Sequence, residues 1–168
     1  MTEEEIKLVN STSRSRGAVG KNAIVPQYVN GILHERAAFF PTVLDYGAGK
    51  DALHVGLLKK EYPNNLIAGW DIGDNWNAEL HISRTELVYA APWSLVYASN
   101  VLNVQPTINA LQETIDELKL LTGDNTLIVN YPPSPRKLFF DKADIFELLQ
   151  KYFRFVLPKE SNVIVCQS

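Results

Sequence analysis

The strongest constraint on what this chain can fold into is an alternation. Four short apolar runs of strand length, in VLDYGAG (43–49), LIAGWD (66–71), SLVYASN (94–100) and TLIVNY (126–131), are separated by stretches that in large part have helical spacing. Runs this uniformly apolar belong to strands buried on both faces. Strand, helix and strand in succession return the chain in the same direction, which gives a parallel sheet covered by helices on both sides. Pro26 opens the first helix of this kind, bearing Tyr28, Val29, Ile32 and Leu33, and Pro41 ends it. Asp51 to Tyr62 predicts a second, with Leu53, Leu57, Leu58 and Tyr62 inward. Pro106 opens the clearest one, with Ile108, Leu111, Ile115, Leu118 and Leu121 on one stripe and Gly123 as its C-terminal cap. Asp141 caps another, bearing Ile145, Leu148, Leu149 and Tyr152. FRFVLP and NVIVC, joined by KES, predict two antiparallel strands.

The expected fold is therefore α/β: a Rossmann-like three-layer α/β/α sandwich, mostly parallel, with an antiparallel C-terminal hairpin. At 168 residues and 46% hydrophobic content the chain is long enough for one real core, and disorder as a general state is excluded. A net charge of −3 argues against blanket binding to a phosphate backbone. Cys166 is the single cysteine, so no internal disulfide and no cysteine-rich zinc site can form, and no metal is expected. The acidic start MTEEEIKLVN is unlike a secretory signal, and no apolar run approaches the ~20 residues that span a bilayer. A cytoplasmic setting without membrane attachment is the expectation. Residues 1–23 carry Ser, Gly, Arg and Lys without apolar period and read as an irregular segment, a tail or a lid bringing Arg14, Arg16 and Lys21 over a site; residues 24–168 read as one domain. Within it, 72–93 is the least legible part, and RTELVYAAPW fits strand or helix.

The chemistry concentrates at Asp45-Tyr46-Gly47-Ala48-Gly49-Lys50-Asp51-Ala52, where a strand gives way to a helix. Gly47 permits a sharp reversal, Gly49 lets backbone approach a ligand, and the helix that follows points free N–H groups at it. Asp71, twenty-two residues beyond Gly49, ends the next strand, where a carboxylate can accept from ribose hydroxyls. An ordinary tight turn explains the glycines alone; the strand, turn, helix, strand and acid together favour an adenosine-bearing ligand. A nicotinamide dinucleotide is one candidate, but Asp45 places a carboxylate where its pyrophosphate would lie. The positively charged S-adenosylmethionine (SAM) suits Asp45 better. GAVGKN at 17–22 is not a phosphate-binding P-loop, for it lacks the upstream glycine spacing and the hydroxyl after Lys21.

VLDYGAGKD, IAGWD and SNVLNV together resemble the class I SAM-dependent methyltransferases, and are similar more narrowly to those associated with DNA phosphorothioation gene clusters and to small phage relatives. The resemblance spans roughly residues 11–135 and includes the Arg/Ser-rich SRSRGAVGKN. It implies that Asp45, Gly47 and Gly49 border the methionine end of SAM, that Asp71 binds the ribose and Ile72 the adenine, and that Asn100, Val101 and Leu102 floor the pocket, with Asn103 nearby. Two departures stand out. Asp51 replaces a common glycine and reads as a helix cap, and 72–93 is too short for a full helix and strand, so the sheet is expected to be trimmed there.

Asn130-Tyr131-Pro132-Pro133 is a scrambled form, after a different strand, of the Asn-Pro-Pro-Tyr motif of amino-group methyltransferases. It does not establish methylation of a base amine, yet it sets a stiff wall at the carboxyl edge where an acceptor is held. Arg16, Asn130, Tyr131 and Pro132 are the substrate-side candidates, with Arg136 and Lys137 adjacent. Trp70, Trp76 and Trp93 are read around the acidic loop, as packing or as aromatic faces for a sulfonium. His34, His54 and Cys166 read as structural. The expected activity is methyl transfer from SAM to an unidentified acceptor, a nucleic acid or a small molecule. A SAM-binding sensor, inhibitor or subunit and an NAD-linked oxidoreductase remain as alternatives.

Overall fold

The structure, a computed structural model, describes residues 1–13, 22–73, 76–133 and 140–168. Arg14, Arg16, Lys21, Arg136 and Lys137 lie outside them. Six strands form one sheet: β1 (Thr42–Tyr46), β2 (Leu66–Trp70), β3 (Leu95–Ala98), β4 (Thr126–Asn130), β5 (Phe155–Pro158) and β6 (Val163–Gln167). Their order is β2-β1-β3-β4-β6-β5. The first four run parallel, and β6 lies antiparallel between β4 and β5. The expected mostly parallel sheet with its antiparallel C-terminal pair is what forms.

Alternate residues of each strand feed two cores. Val43, Ile67, Leu95, Tyr97 and Ile128 meet α2 (Ile24–Arg36) and α3 (Leu53–Glu61) on one face. Leu44, Tyr46, Val96, Leu127 and Val129 face α4 (Arg84–Tyr89), α5 (Ile108–Thr122) and α6 (Lys142–Gln150) on the other. Burying a Leu or Ile on either face contributes about 1.5–3 kcal/mol, so both layers are driven by the stripes legible in sequence. Gly123, at φ +58, closes α5 with its N–H on the Lys119 carbonyl, and Asp141 with Asp144 forms a reciprocal capping box on α6.

Several expectations are corrected. Residues 3–13 are not irregular: they form α1 (Glu3–Ser13). Thr2 and Glu5 exchange side-chain to backbone hydrogen bonds at its start, and three glutamates in the first turn suit the helix dipole. The inward set of α3 is His54, Val55 and Leu58, while Leu53 and Leu57 face solvent. Asp51 does not cap α3; the N-cap is Ala52 in left-handed conformation, without a side-chain hydrogen bond. RTELVYAAPW resolves as the short α4, capped by the reciprocal Ser83–Glu86 pair. Beside β2, where the sheet was expected to be trimmed, the described residues form a single parallel bridge, Gly69 to His81. Among the described residues no helix is long and apolar enough to cross a membrane, and no group of His, Cys, Asp and Glu is arranged to hold a metal ion.

Candidate functional site

The carboxyl ends of β1, β2, β3 and β4 line up at one edge of the sheet, and the sequence candidates gather there. Gly47 and Ala48 donate their N–H groups to the Trp70 carbonyl at 2.8 and 3.0 Å, pinning the turn after β1 to the end of β2. Gly47 has φ +87, and a Cβ there would stand 2.5 Å from Val101 Cγ2. Glycine is therefore required twice over, by conformation and by the approach of the segment after β3. Gly49, at φ +71, donates its N–H to Asp71 Oδ2 at 2.5 Å. The ribose candidate thus stands directly against the glycine turn.

Asp45 is buried and accepts from the Tyr97 hydroxyl at 2.9 Å. Burial pushes its pKa up to about 7, opposed by the Tyr97 hydrogen bond and reinforced by the nearby Asp71 charge. Tyr97 itself is raised, by burial first and then by Asp45. Two carboxylates thus flank the turn, and the buried one is poorly satisfied as an anion.

Tyr46, the next residue, points to the opposite face. It lies against Trp70, with ring centroids 4.7 Å apart, and its hydroxyl donates to Glu117 Oε2 at 3.1 Å. Arg84 pairs with Glu117 and sits 5.4 Å from the Trp70 ring centroid. With Ile72, Thr114 and Ile6 these groups border a cavity of about 250 Å³. Ile72 connects it to Asp71.

The floor comes from the segments after β3 and β4. Asn100 adopts φ +57, and its backbone N–H donates to Asn130 Oδ1 at 2.7 Å. Asn130 Nδ2 donates to Asn100 Oδ1 at 2.8 Å. Val101 follows against Gly47, and Leu102 is fully buried in a single 3-10 turn, Leu102–Val104. Pro132 is half-buried at this edge. Tyr131 turns inward: its side chain is buried and its hydroxyl donates to the Phe140 carbonyl at 3.0 Å.

α1 spans this edge from above. A Cβ on Gly73 would fall 2.1 Å from Asn10 Nδ2, and Glu5 accepts from the Thr107 hydroxyl at 2.9 Å, so α1 touches the loop after β2 and the start of α5. Sequence reasoning missed Tyr97, Arg84, Glu117 and Asn10. None carries a local signal, because Tyr97 meets Asp45, Arg84 meets Glu117 and Asn10 approaches Gly73 across more than thirty residues of chain. The three tryptophans do not form one cluster: Trp93 is core, donating to the Leu87 carbonyl, and Trp76 is half-exposed against His81.

No protein-family model and no curated protein matches the chain. Solved structures do. Magnesium protoporphyrin IX methyltransferase (ChlM) from Synechocystis PCC 6803, with bound SAM, superposes with a TM-score of 0.67 over 99% of both chains at 18% identity. The 1,6-didemethyltoxoflavin-N1-methyltransferase of Burkholderia thailandensis, with its substrate and S-adenosylhomocysteine (SAH), gives 0.66 over 100% of this chain and 90% of that one at 14% identity. The sugar N-methyltransferase KedS8 from Streptoalloteichus gives 0.61 over 94% and 90% at 10% identity. The fold is that of the class I SAM-dependent methyltransferases.

Proposed function

We propose that this chain is a SAM-dependent methyltransferase whose acceptor is a small molecule. The observation that carries the reading is the pair of carboxylates around the glycine turn. Asp71 is held at the turn by Gly49 N–H, where ribose hydroxyls reach it, and Asp45 is a buried acid raised to about 7. A pyrophosphate would aggravate that site, whereas an ammonium or sulfonium relieves it. Two of the superposed methyltransferases hold SAM or SAH, and the acceptors named for the three are small molecules: a protoporphyrin, a toxoflavin precursor and a sugar. The narrower kinship with phosphorothioation-associated and phage enzymes rests on the three sequence motifs.

In this reading Asp45 faces the positive end of the cofactor, Asp71 the ribose and Ile72 the adenine, while Asn100, Val101 and Leu102 support it from below. SAM supplies an electrophilic methyl group. The protein's own part is alignment and exclusion of water: reacting atoms held about 3–3.5 Å apart and in line gain most of the rate. α1 contributes the cover, and Asn130 and Pro132 border the acceptor's side.

Calorimetry with SAM, SAH and NAD tests the cofactor. SAM and SAH are expected to bind, and NAD not; the reverse order overturns the reading. Because the cofactor's positive charge stabilises ionised Asp45, binding near pH 6 releases a proton, and affinity rises with pH up to about 7. Heats measured in buffers of different ionisation enthalpy count that proton. Transfer of labelled methyl from SAM into small-molecule, nucleic-acid and protein pools then reads the activity. Label confined to nucleic acid would replace the acceptor class, and none in any pool would make this a cofactor-binding protein.

A further inference from the structure

The two faces of the sheet are covered unequally. Of the described helices, α4, α5 and α6 pack on one face, and α2 and α3 on the other. The shortfall falls on β5, which ends the strand order with β6 on one side and no described strand on the other. Leu157 pairs with Val165 and points to the less covered face, as does Phe155 two residues earlier. They are 42% and 47% exposed, whereas Val156 between them packs into the opposite core.

The free edge of β5 has a definite hydrogen-bonding pattern. Lys159 donates to the Val163 carbonyl at 2.8 Å, in continuation of the β5–β6 register. Residues bonded to the neighbour recur at every second position of an antiparallel ladder, so Leu157 and Phe155 also bond inward to β6. The carbonyls of Arg154, Val156 and Pro158 therefore face outward, together with the Val156 N–H, and no other described segment bonds them. Pro158 has its nitrogen on this side, where a missing donor leaves the β6 ladder intact. Val156 is thus the β5 residue that offers both a donor and an acceptor to a further strand.

That edge is complementary to itself. When a second copy lies antiparallel with Val156 opposite Val156, the two residues exchange both main-chain hydrogen bonds. Phe155 of each copy then stands opposite Leu157 of the other, on the same face, so all four exposed apolar side chains are paired. A shift of register leaves Leu157 without an exposed apolar partner. The charges agree as well. Arg154, whose guanidinium lies 5.2 Å from the Phe155 ring centroid, meets the end of the second strand that carries Glu160. Lys159, one residue before Glu160, points to the other face.

We propose that β5 is a homodimer edge: two copies pair β5 to β5 about a two-fold axis at Val156, joining two six-stranded sheets into one of twelve. Because the paired strands run in opposite directions, the two clefts open at opposite ends of the joined sheet and neither covers the other. The pairing is short, so association is concentration-dependent and sits at the small end of interface sizes.

Sedimentation velocity of the full chain from about 1 to about 300 μM should show monomer giving way to dimer. Leu157→Lys sets a charge within the apolar pair and should weaken association by about tenfold or more. Leu157 is already exposed in one copy, and thermal unfolding confirms that the variant keeps its fold. Cross-linking reads the register. A disulfide needs Cα atoms within about 7 Å, and residues directly opposite meet this while diagonal ones stand about 7–8 Å apart. Phe155→Cys mixed with Leu157→Cys should therefore bridge faster under oxidation than either variant alone, with buried Cys166 as the common background. A wild-type chain that stays monomeric throughout overturns the proposal and leaves the edge to a strand of another protein. A dimer that Leu157→Lys leaves intact overturns it by placing the interface elsewhere, and self-bridging as fast as mixed bridging overturns the pairing at Val156.

Discussion

The turn after β1 and the paired ends of β3 and β4 shape the same cleft by opposite means. The first is made from backbone: Gly47 at φ +87 with its N–H on the Trp70 carbonyl, and Gly49 N–H on Asp71. The second is made from side chains, one amide reading the backbone and side chain of another thirty residues away. Backbone geometry of the first kind leaves a mark in sequence, because glycine is needed where nothing else fits. An asparagine pair leaves none, since either residue alone is an ordinary end to a strand. The contrast extends to electrostatics. The turn side brings the acids Asp45 and Asp71 together, while the asparagine pair on the other side is neutral and directional.

Substitutions can break this contrast in order of expected size. Asp45→Asn should have the largest effect on the ligand-free protein. The folded-state pKa lies above the ordinary carboxylate value, so the native state holds its proton more tightly than the unfolded chain. Stability is accordingly full below about pH 4 and is lost as pH rises towards about 7. Removing the charge should stabilise the apo protein by up to about 4 kcal/mol at pH 8 and by nothing at pH 3. Urea unfolding at both pH values checks this, and an equal change at both would contradict a buried, titrating Asp45. The same variant should lose SAM affinity.

Gly47→Ala should cost about 3 kcal/mol, combining a positive φ with a methyl driven into Val101. A fully stable variant would show that the segment after β3 is not packed against the turn. Gly73→Ala should cost less, roughly 1–2 kcal/mol, because Asn10 is a side chain that can swing aside. Its useful readout is hydrogen exchange across α1, expected to quicken as the helix lifts from the loop after β2. Gly31→Ala, inside α2 with nothing within 4 Å, should instead stabilise by about 0.5–1 kcal/mol. It separates glycines that the fold requires from one that it merely contains.

Much of the layered architecture was legible because the parallel strands are mostly apolar and α5 carries one apolar stripe. Gly123 and Asp141 were readable as caps for the same local reason. α1 was hidden because its signal is a polar one: a Thr2–Glu5 capping pair and acidic residues suited to a helix start, with only Ile6 and Val9 to anchor it. α3 was misoriented at Leu53 and Leu57 because leucines occupy both sides of that helix, and position in the fold decides which are covered. Among the candidate residues, Asp45, Gly47, Gly49 and Asp71 were named from one turn and the acid that follows it, and Ile72 from the family resemblance alone. Tyr131 was chosen as an acceptor-side residue from its neighbours in sequence, yet the chain bends its side chain into the core.

What the amino-acid order determined by itself is therefore local: where strands and helices run, where glycine permits a reversal, and where an acid ends a strand. Those features depend on dihedral preferences and on burial of nearby side chains. Tertiary structure alone decided which groups meet across the cleft. Tyr97 reaches Asp45, Arg84 and Tyr46 converge on Glu117, and Asn130 orients Asn100. Hydrogen bonds act over about 3 Å, and only a packed sheet brings residues so far apart in the chain within that distance.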